Sequence, residues 1–483
     1  MSAFLETVLL IVSWIALIFF TLQVLTYMWF TLVAWNRLAA LRRARTYAPL
    51  DDIFGSPFAP QVSLLLPAYN EEAGIVASTH SLLDLRYPTH EVIVVNDGST
   101  DSTIERMKEA FDLVQVRGAL RSRIEAKPVK AVYVSRRHRN LWVLDKENGG
   151  KADALNAGIN AASHPYYCAV DADAILEEDS LLRLVKPVIE DPDLLVAAAG
   201  IVRIANGATI EGGRMLDFRL PRSRLATIQV LEYFRAFLIG RIGWDSVNGL
   251  LIVSGAFGLF QRELVEEIGG YRVGTVGEDI ELVVRIHRHM RDVGEEYRIS
   301  FIPEPTCWTE APETLGSLSR QRRRWARGLG ETLWRHKSMI GRPKYGVIGM
   351  YVLPWFLLFE FFGSVLELTG IGIVILAALF EVVSIVFLVV FSFVCLLFWL
   401  VLSFAAILLE EYAIRRYKRG SDMARLVGYA VVESVGYRQL NAFWRCQAML
   451  DLARGRKDWG AMPRKGLERP AEPAPPAPVT HDG

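Results

Sequence analysis

Between residues 7 and 34 the chain runs without a single charge (TVLLIVSWIALIFFTLQVLTYMWFTLVA). Crossing a bilayer takes about 20 apolar residues, so this stretch predicts one spanning helix with some tilt. Trp29, Phe30 and Trp35 read as an interfacial aromatic belt, and the run is too long for the apolar core of a signal peptide. An uncleaved anchor over 1–36 is the expectation. A second apolar block covers 345–413 with few charges. Its length fits two spans, about 347–376 and 383–410, with a turn near Glu381. Glu360 and Glu367 lie seven residues apart, hence on one helix face. At membrane depth such carboxylates turn into a bundle interior; in the alternative, this half of the block lies among head groups. From 423 to 452 the pattern becomes amphipathic, which predicts helices lying on the membrane surface within a 414–468 interface region. Residues 469–483 are rich in Pro and Ala and read as a disordered tail.

The middle of the chain has a different rhythm. VSLLLPA (62–68), EVIVVND (91–97), AVYVS (131–135), LWVLD (141–145) and YYCAVDAD (166–173) are short β-rich runs ending in polar residues. Helical stretches separate several of them, at 72–85, 103–111 and 152–162. Strand–helix alternation predicts an α/β domain over 60–344 with a mostly parallel sheet and a ligand at its carboxyl edge. Asn70, Glu71, Asn96, Asp97, Asp171 and Asp173 fall at those strand ends. The run 229–237 (QVLEYFRAF) reads as an amphipathic interface helix.

Composition separates these two objects. The mean hydropathy of +0.24 averages apolar blocks with an ordinary soluble domain. The 54 Lys and Arg against 53 Asp and Glu exclude a nucleic-acid binder driven by bulk positive charge. Basic residues cluster at Arg37, Arg42, Arg43 and Arg45, before the second block at Arg342 and Lys344, and after it at Arg415, Arg416, Lys418 and Arg419. The positive-inside rule then places residue 37 onward in the cytoplasm, with 37–59 as a basic linker and the N-terminus outside an inner or plasma membrane. The four cysteines, Cys168, Cys307, Cys395 and Cys446, lack CxxC spacing, which disfavours a zinc site or disulfide framework.

Familiar cofactor motifs fail on detail. A phosphate-cradling loop would need Gly at 145 and Ser or Thr at 152, where the chain has Asp145 and Ala152. No GxGxxG follows the first strand, and HExxH and GxSxG are absent. His287 and His289 read as solvated helix residues. DAD at 171–173 suits a hard divalent cation, Mg or Mn, which also bridges diphosphate oxygens.

The order of motifs is more specific than any one of them. PAYNEE (67–72), VVNDGSTDST (94–103), NGGKADALNAG (148–158), DAD (171–173), SGAFG (254–258), GED (277–279) and QRRRW (321–325) follow in sequence. The chain resembles the membrane-bound family 2 glycosyltransferases with a GT-A nucleotide-sugar fold, the group holding cellulose, hyaluronan, chitin and poly-N-acetylglucosamine synthases. The resemblance covers about 60–345, and it implies roles for individual residues. Pro67, Asn70, Glu71 and Asp97 would hold the nucleoside, with Asp97 accepting from the base; Asn96 stands where many relatives carry a second Asp. Lys151 would approach the diphosphate, Asp171 would contact sugar or ribose, and Asp173 would hold the metal. Asp279 would be the catalytic base, kept ionised by the helix N-terminus it opens. Arg324 would grip the diphosphate, while Gly255, Phe257, Glu278, Gln321 and Trp325 would meet the acceptor, the indole by stacking.

These roles add up to an inverting transfer from a UDP-sugar to a growing polysaccharide at the cytoplasmic membrane face, repeated processively. Ceramide glucosyltransferases share the Gln–Arg–Trp motif, so single transfer to a membrane lipid is the alternative. A noncatalytic nucleotide receptor is disfavoured because every catalytic position is filled. Three spans are few for a one-chain channel, so a small membrane subunit or a homo-oligomer is expected to complete it.

Overall fold

The computed structural model describes residues 3–47, 59–117, 122–211, 214–379, 384–417 and 419–455. The strands are β1 (Val62–Ala68), β2 (His90–Asn96), β3 (Leu113–Val116), β4 (Val129–Ser135), β5 (Leu141–Lys146), β6 (Tyr166–Val170), β7 (Ala174–Leu176), β8 (Leu195–Ile204), β9 (Thr209–Glu211), β10 (Arg214–Asp217), β11 (Phe257–Gln261) and β12 (Arg298–Thr309). Ten of them form one sheet in the order β3-β4-β5-β2-β1-β6-β11-β8-β12-β7.

The centre is parallel as predicted: β5, β2, β1 and β6 run together, and β8 pairs parallel with β12. The rest departs from the expectation, because β11, β7, β3 and β4 make antiparallel pairs. The β4–β5 connection is too short for a parallel crossover, which needs a dozen or more residues. The parallel centre still brings Ala68, Asn96, Lys146 and Val170 to one edge.

The longer helices are α1 (Ala3–Tyr47), α2 (Ile75–Leu83), α3 (Thr103–Phe111), α4 (Lys151–Ala161), α5 (Arg224–Phe234), α6 (Glu278–Val293), α7 (Leu315–Arg335), α8 (Gly363–Leu379), α9 (Ile385–Ala413), α10 (Gly420–Val432) and α11 (Arg438–Ala453). A wide π turn, Arg235–Arg241, continues α5. Among the described residues, two helices are long and apolar enough to cross a membrane, within Trp14–Arg43 and Ser392–Ala413. A third candidate is the pair Ile348–Phe361 and Gly363–Ile373, bent by 42°. The bend falls between Glu360 and Glu367.

Two expectations are corrected. The basic stretch after the first span is no linker up to Tyr47, since α1 continues through it. Arg37 pairs with Asp245 and donates to the Phe301 carbonyl, and Arg42 lies 4.6 Å from the Tyr412 ring centre. Helix-compatible arginines with fixed partners extend the helix onto the soluble domain. His287 is not solvated: it is fully buried, with Nδ1 2.7 Å from the Tyr297 hydroxyl and Nε2 3.0 Å from the Leu250 carbonyl. Burial lowers its pKa to about 4, so it stays a neutral core residue. The half-buried His289 stands 3.2 Å from Glu267. The predicted turn at Glu381 and the tail lie outside the described residues.

Soluble and membrane parts are tied by buried ion pairs. Arg203 on β8 grips Glu410 on α9 through two bonds of 3.0 and 2.7 Å. Arg235 bonds Ser403 on α9 at 2.8 Å and Glu433 at 2.7 Å. Removing one partner of such a pair leaves a buried charge uncompensated, so these ties are rigid.

Candidate active site

Asp97, at the end of β2, is almost fully buried and organises the NGGK loop. Its Oδ1 accepts from Lys146 Nζ at 2.7 Å and Gly149 N–H at 2.9 Å, and its Oδ2 accepts from Gly150 N–H at 2.7 Å. Gly150 makes the turn into α4 with φ of 88°, a conformation that favours glycine. A carboxylate offers about four lone-pair sites. Three donors already occupy Asp97, so it shapes the loop first and has little capacity left for a base. Lys146 also contacts Asp153 at 2.5 Å. Asn96 donates to Asp145 at 2.7 Å, where a second aspartate would meet like charge.

Lys146 is fully buried between two carboxylates. Lys146→Met is expected to destabilise the domain by about 3–5 kcal/mol, because both carboxylates lose their cation in a dry site. An unchanged melting temperature for the purified variant would retire this account.

The loops after β1 and β2 are laced together. Asn70, with φ of 56°, takes the Thr100 N–H at 2.8 Å and gives its own N–H to Ser99 Oγ at 3.0 Å. The Glu71 N–H bonds Thr103 Oγ1 at 3.0 Å. Pro67 sits in β1 opposite Val95, and Pro67, Asn70 and Glu71 all line the cavity described below.

Lys151, the first residue of α4, lies among acids. Its Nζ is 2.5 Å from Asp171 Oδ1 and 3.4 Å from Glu278 Oε1. Burial alone would lower the Lys151 ammonium; Asp171, then Glu278 and Asp279, outweigh it and hold the charge well above the usual lysine range. Burial pushes the Glu278 carboxyl up, with Lys151 opposing. Gly255 is small for a reason, since a Cβ there would stand 2.8 Å from Lys151 Nζ. Asp279, half-buried in the first turn of α6, accepts from Ile280 N–H at 2.8 Å and Gly255 N–H at 3.4 Å.

The QRRRW motif lies on α7, which meets the GED turn backbone to backbone. A Cβ on Gly328 would stand 2.9 Å from Gly277 Cα. Glu331 adds a bond of 3.0 Å from the Val276 N–H. Gln321 and Arg324 are half-buried, and Trp325 keeps 43% of its surface exposed. Arg322 covers one side of that indole at 4.6 Å, leaving the other to a ligand.

One continuous cavity of about 2930 Å³ joins these groups. Asn70, Asp97, Lys151, Asp171, Asp173, Gly255, Glu278, Asp279, Gln321, Arg324 and Trp325 line it at one end. It continues between α1, α8, α9 and α11, past Tyr27, Phe359, Glu360, Glu367 and Trp399. There Glu360 pairs with Arg445 at 3.1 Å and Glu367 with Arg438 at 3.3 Å, so both glutamates face the interior. Phe257 does not take part: it is fully buried in β11, with its ring filling the space over Gly200. An aromatic at a strand start belongs to the core whenever its register faces inward. Sequence reasoning overlooked Lys146, Gly328, Glu331 and Glu232. Only the LDK strand end and the ARGLGE run beside known motifs hinted at the first three.

Among the described residues, no three His, Cys, Asp or Glu side chains are grouped to hold a metal unaided. Asp171 is bound by Lys151, and Asp173, two residues on, lines the same cavity with a hard carboxylate donor. This set fits a divalent ion whose coordination is completed by a ligand's own oxygens, as with Mg²⁺.

The mixed sheet with a parallel centre and an acidic carboxyl edge defines the GT-A fold of nucleotide-diphospho-sugar transferases. The family model "Glycosyl transferase family 2" matches residues 63–269, and "Glycosyl transferase family group 2" matches 168–408. The chain belongs to glycosyltransferase family 2. It is 29% identical over 326 residues to a poly-beta-1,6-N-acetyl-D-glucosamine synthase of Staphylococcus epidermidis, covering 67% of this chain and 65% of that one. A synthase of the same description from Staphylococcus aureus (strain COL) is 32% identical over 277 residues, 57% of this chain and 56% of the relative. The match therefore spans under two thirds of the length of either relative. Among solved structures, the mannosyltransferase PcManGT of Pyrobaculum calidifontis in complex with GDP-Man and Mn2+ aligns with a TM-score of 0.49 and 18% identity, over 85% of this chain and 99% of that one.

Proposed function

We propose that the protein is an inverting, processive glycosyltransferase that extends a polysaccharide from a UDP-sugar at the cytoplasmic membrane face. The observation that carries this reading is the continuity of the cavity from the carboxylate edge to the space between the membrane-type helices. A single-transfer enzyme needs no passage carrying ion pairs at that depth. The relatives are named as poly-beta-1,6-N-acetyl-D-glucosamine synthases, so UDP-N-acetylglucosamine is the first donor to test.

In this scheme Asp279 accepts the proton of the attacking acceptor hydroxyl as the sugar inverts. It stands in the first turn of α6, where its carboxylate oxygens accept from the Ile280 and Gly255 N–H groups. Arg324 holds the diphosphate in a two-pronged grip, and Trp325 stacks against the acceptor sugar. Lys151 sits between donor and base sites, setting the spacing of Asp171 and Glu278. The Asp97-bound NGGK loop fixes that lysine in turn. Asp173 would hold Mg²⁺ or Mn²⁺ together with the donor diphosphate, and such an ion supplies charge stabilisation to the leaving group. Residue 37 onward is assigned to the cytoplasmic side, apart from the spans of the second apolar block, with the N-terminus outside.

Incubating the membrane-embedded protein with labelled UDP-sugars and sizing the product tests this reading. Long products are expected, lost with excess EDTA and restored by Mg²⁺ or Mn²⁺. One sugar per lipid sinks the polymerase, and full turnover in EDTA sinks the Asp173 assignment.

A further inference from the structure

Glu232 lies on α5, away from every motif of the domain, yet three side chains, one from α7 and two from α11 and the residue that precedes it, aim donors at its carboxylate. Arg322 of α7 reaches Oε2 at 2.7 Å, the Tyr437 hydroxyl reaches the same oxygen at 2.7 Å, and Asn441 of α11 approaches Oε1 at 3.4 Å. Arg322 is nearly buried, and its guanidinium carbon stands 4.6 Å over the Trp325 ring. Glu232, Arg322, Trp325, Tyr437 and Asn441 all line the one cavity, where it passes from the soluble domain toward the membrane-type helices.

We infer that Glu232 is a positioning residue for the acceptor: it fixes Arg322, Arg322 fixes the plane of Trp325, and Tyr437 locks this platform to the tunnel helix α11. The inference rests on the proposed polymerase reading. An indole with one face covered by arginine is held in plane and presents the other face to a sugar. A charge-assisted bond of 2.7 Å defines where that arginine stands. Arg322 would otherwise be an uncompensated buried cation, so the pair holds a single geometry. Because Tyr437 shares the carboxylate, a shift of α11 relative to α7 breaks the hub. Stacking platform and tunnel mouth therefore stay aligned through repeated additions, which a growing chain needs and donor binding does not.

Glu232→Gln keeps the side-chain shape and removes the charge. The expected result is transfer reduced about tenfold or more, as for a misplaced reactant, with shorter products and unchanged UDP affinity. A second measurement separates positioning from general damage. If Glu232 acts through the indole, Glu232→Gln in a Trp325→Ala background adds no further loss, whereas independent effects multiply. Loss of UDP affinity, full-length product, or multiplying losses would each overturn the inference. If Glu232→Gln does not accumulate as folded protein, Tyr437→Phe, which withdraws one donor, is read by the same criteria. A wild-type protein that adds only one sugar retires the polymer reading instead, and the coupling of Glu232 to Trp325 is then judged on initial rate alone.

Discussion

Asp279→Asn is expected to abolish sugar transfer while UDP binding persists. The amide matches the carboxylate in shape, and its one oxygen still accepts from the Ile280 N–H at 2.8 Å while the long 3.4 Å contact from the Gly255 N–H is given up, so the first turn of α6 keeps its form. What disappears is the ability to take a proton from the acceptor hydroxyl, a contribution of about 10²–10⁴-fold. Glu278 cannot take over. It is buried beside Lys151, and burial holds its carboxyl above the usual range. Labelled-sugar transfer measures the loss, and calorimetric titration with UDP measures the binding. A variant that no longer binds UDP would falsify the base assignment, because the residue would then serve the donor or the fold.

Gly328→Ala should be nearly as damaging although it adds one methyl group outside every recognised motif. The new carbon would stand 2.9 Å from both N and Cα of Gly277, inside real carbon contact distance and against backbone with no rotamer to yield. Overpacking of this kind costs about 1–3 kcal/mol. The relief available is a shift of α7 away from the GED turn, which moves Arg324 and Trp325 relative to Asp279. A misplacement of about 1 Å lowers rates on the order of 10²-fold. Gly316→Ala, at the start of the same helix, is the control: its Cβ would meet only the end of Arg320, at 3.7 Å. Wild-type transfer by Gly328→Ala would show that helix and turn do not need this contact.

The strand runs were legible because parallel strands buried on both faces read as continuous apolar segments. The sites after β1, β2 and β6 followed, since polar residues at strand ends collect on one edge. The long apolar helices were equally legible, because bilayer thickness sets their length. Phe257 shows the limit: within SGAFG, small residues and an aromatic read alike as acceptor wall. Which side of β11 the ring takes depends on pairing with β6 and β8. His287 shows it again, since a histidine between arginines reads as surface until Tyr297 and Leu250 close over it.

Local chemistry in the chain determined a GT-A domain, the residues at its carboxyl edge, and flanking helices of membrane type. Those features depend on periodicity and on motifs a few residues long. Only the tertiary structure decided that Asp97 serves the NGGK loop and that Lys151 is enclosed by acids. It alone set Gly328 against Gly277 and gathered Arg322, Tyr437 and Asn441 on Glu232. These contacts join residues from 20 to more than 200 positions apart. Their partners are chosen by how helices and strands pack, and packing leaves no periodic trace in the sequence.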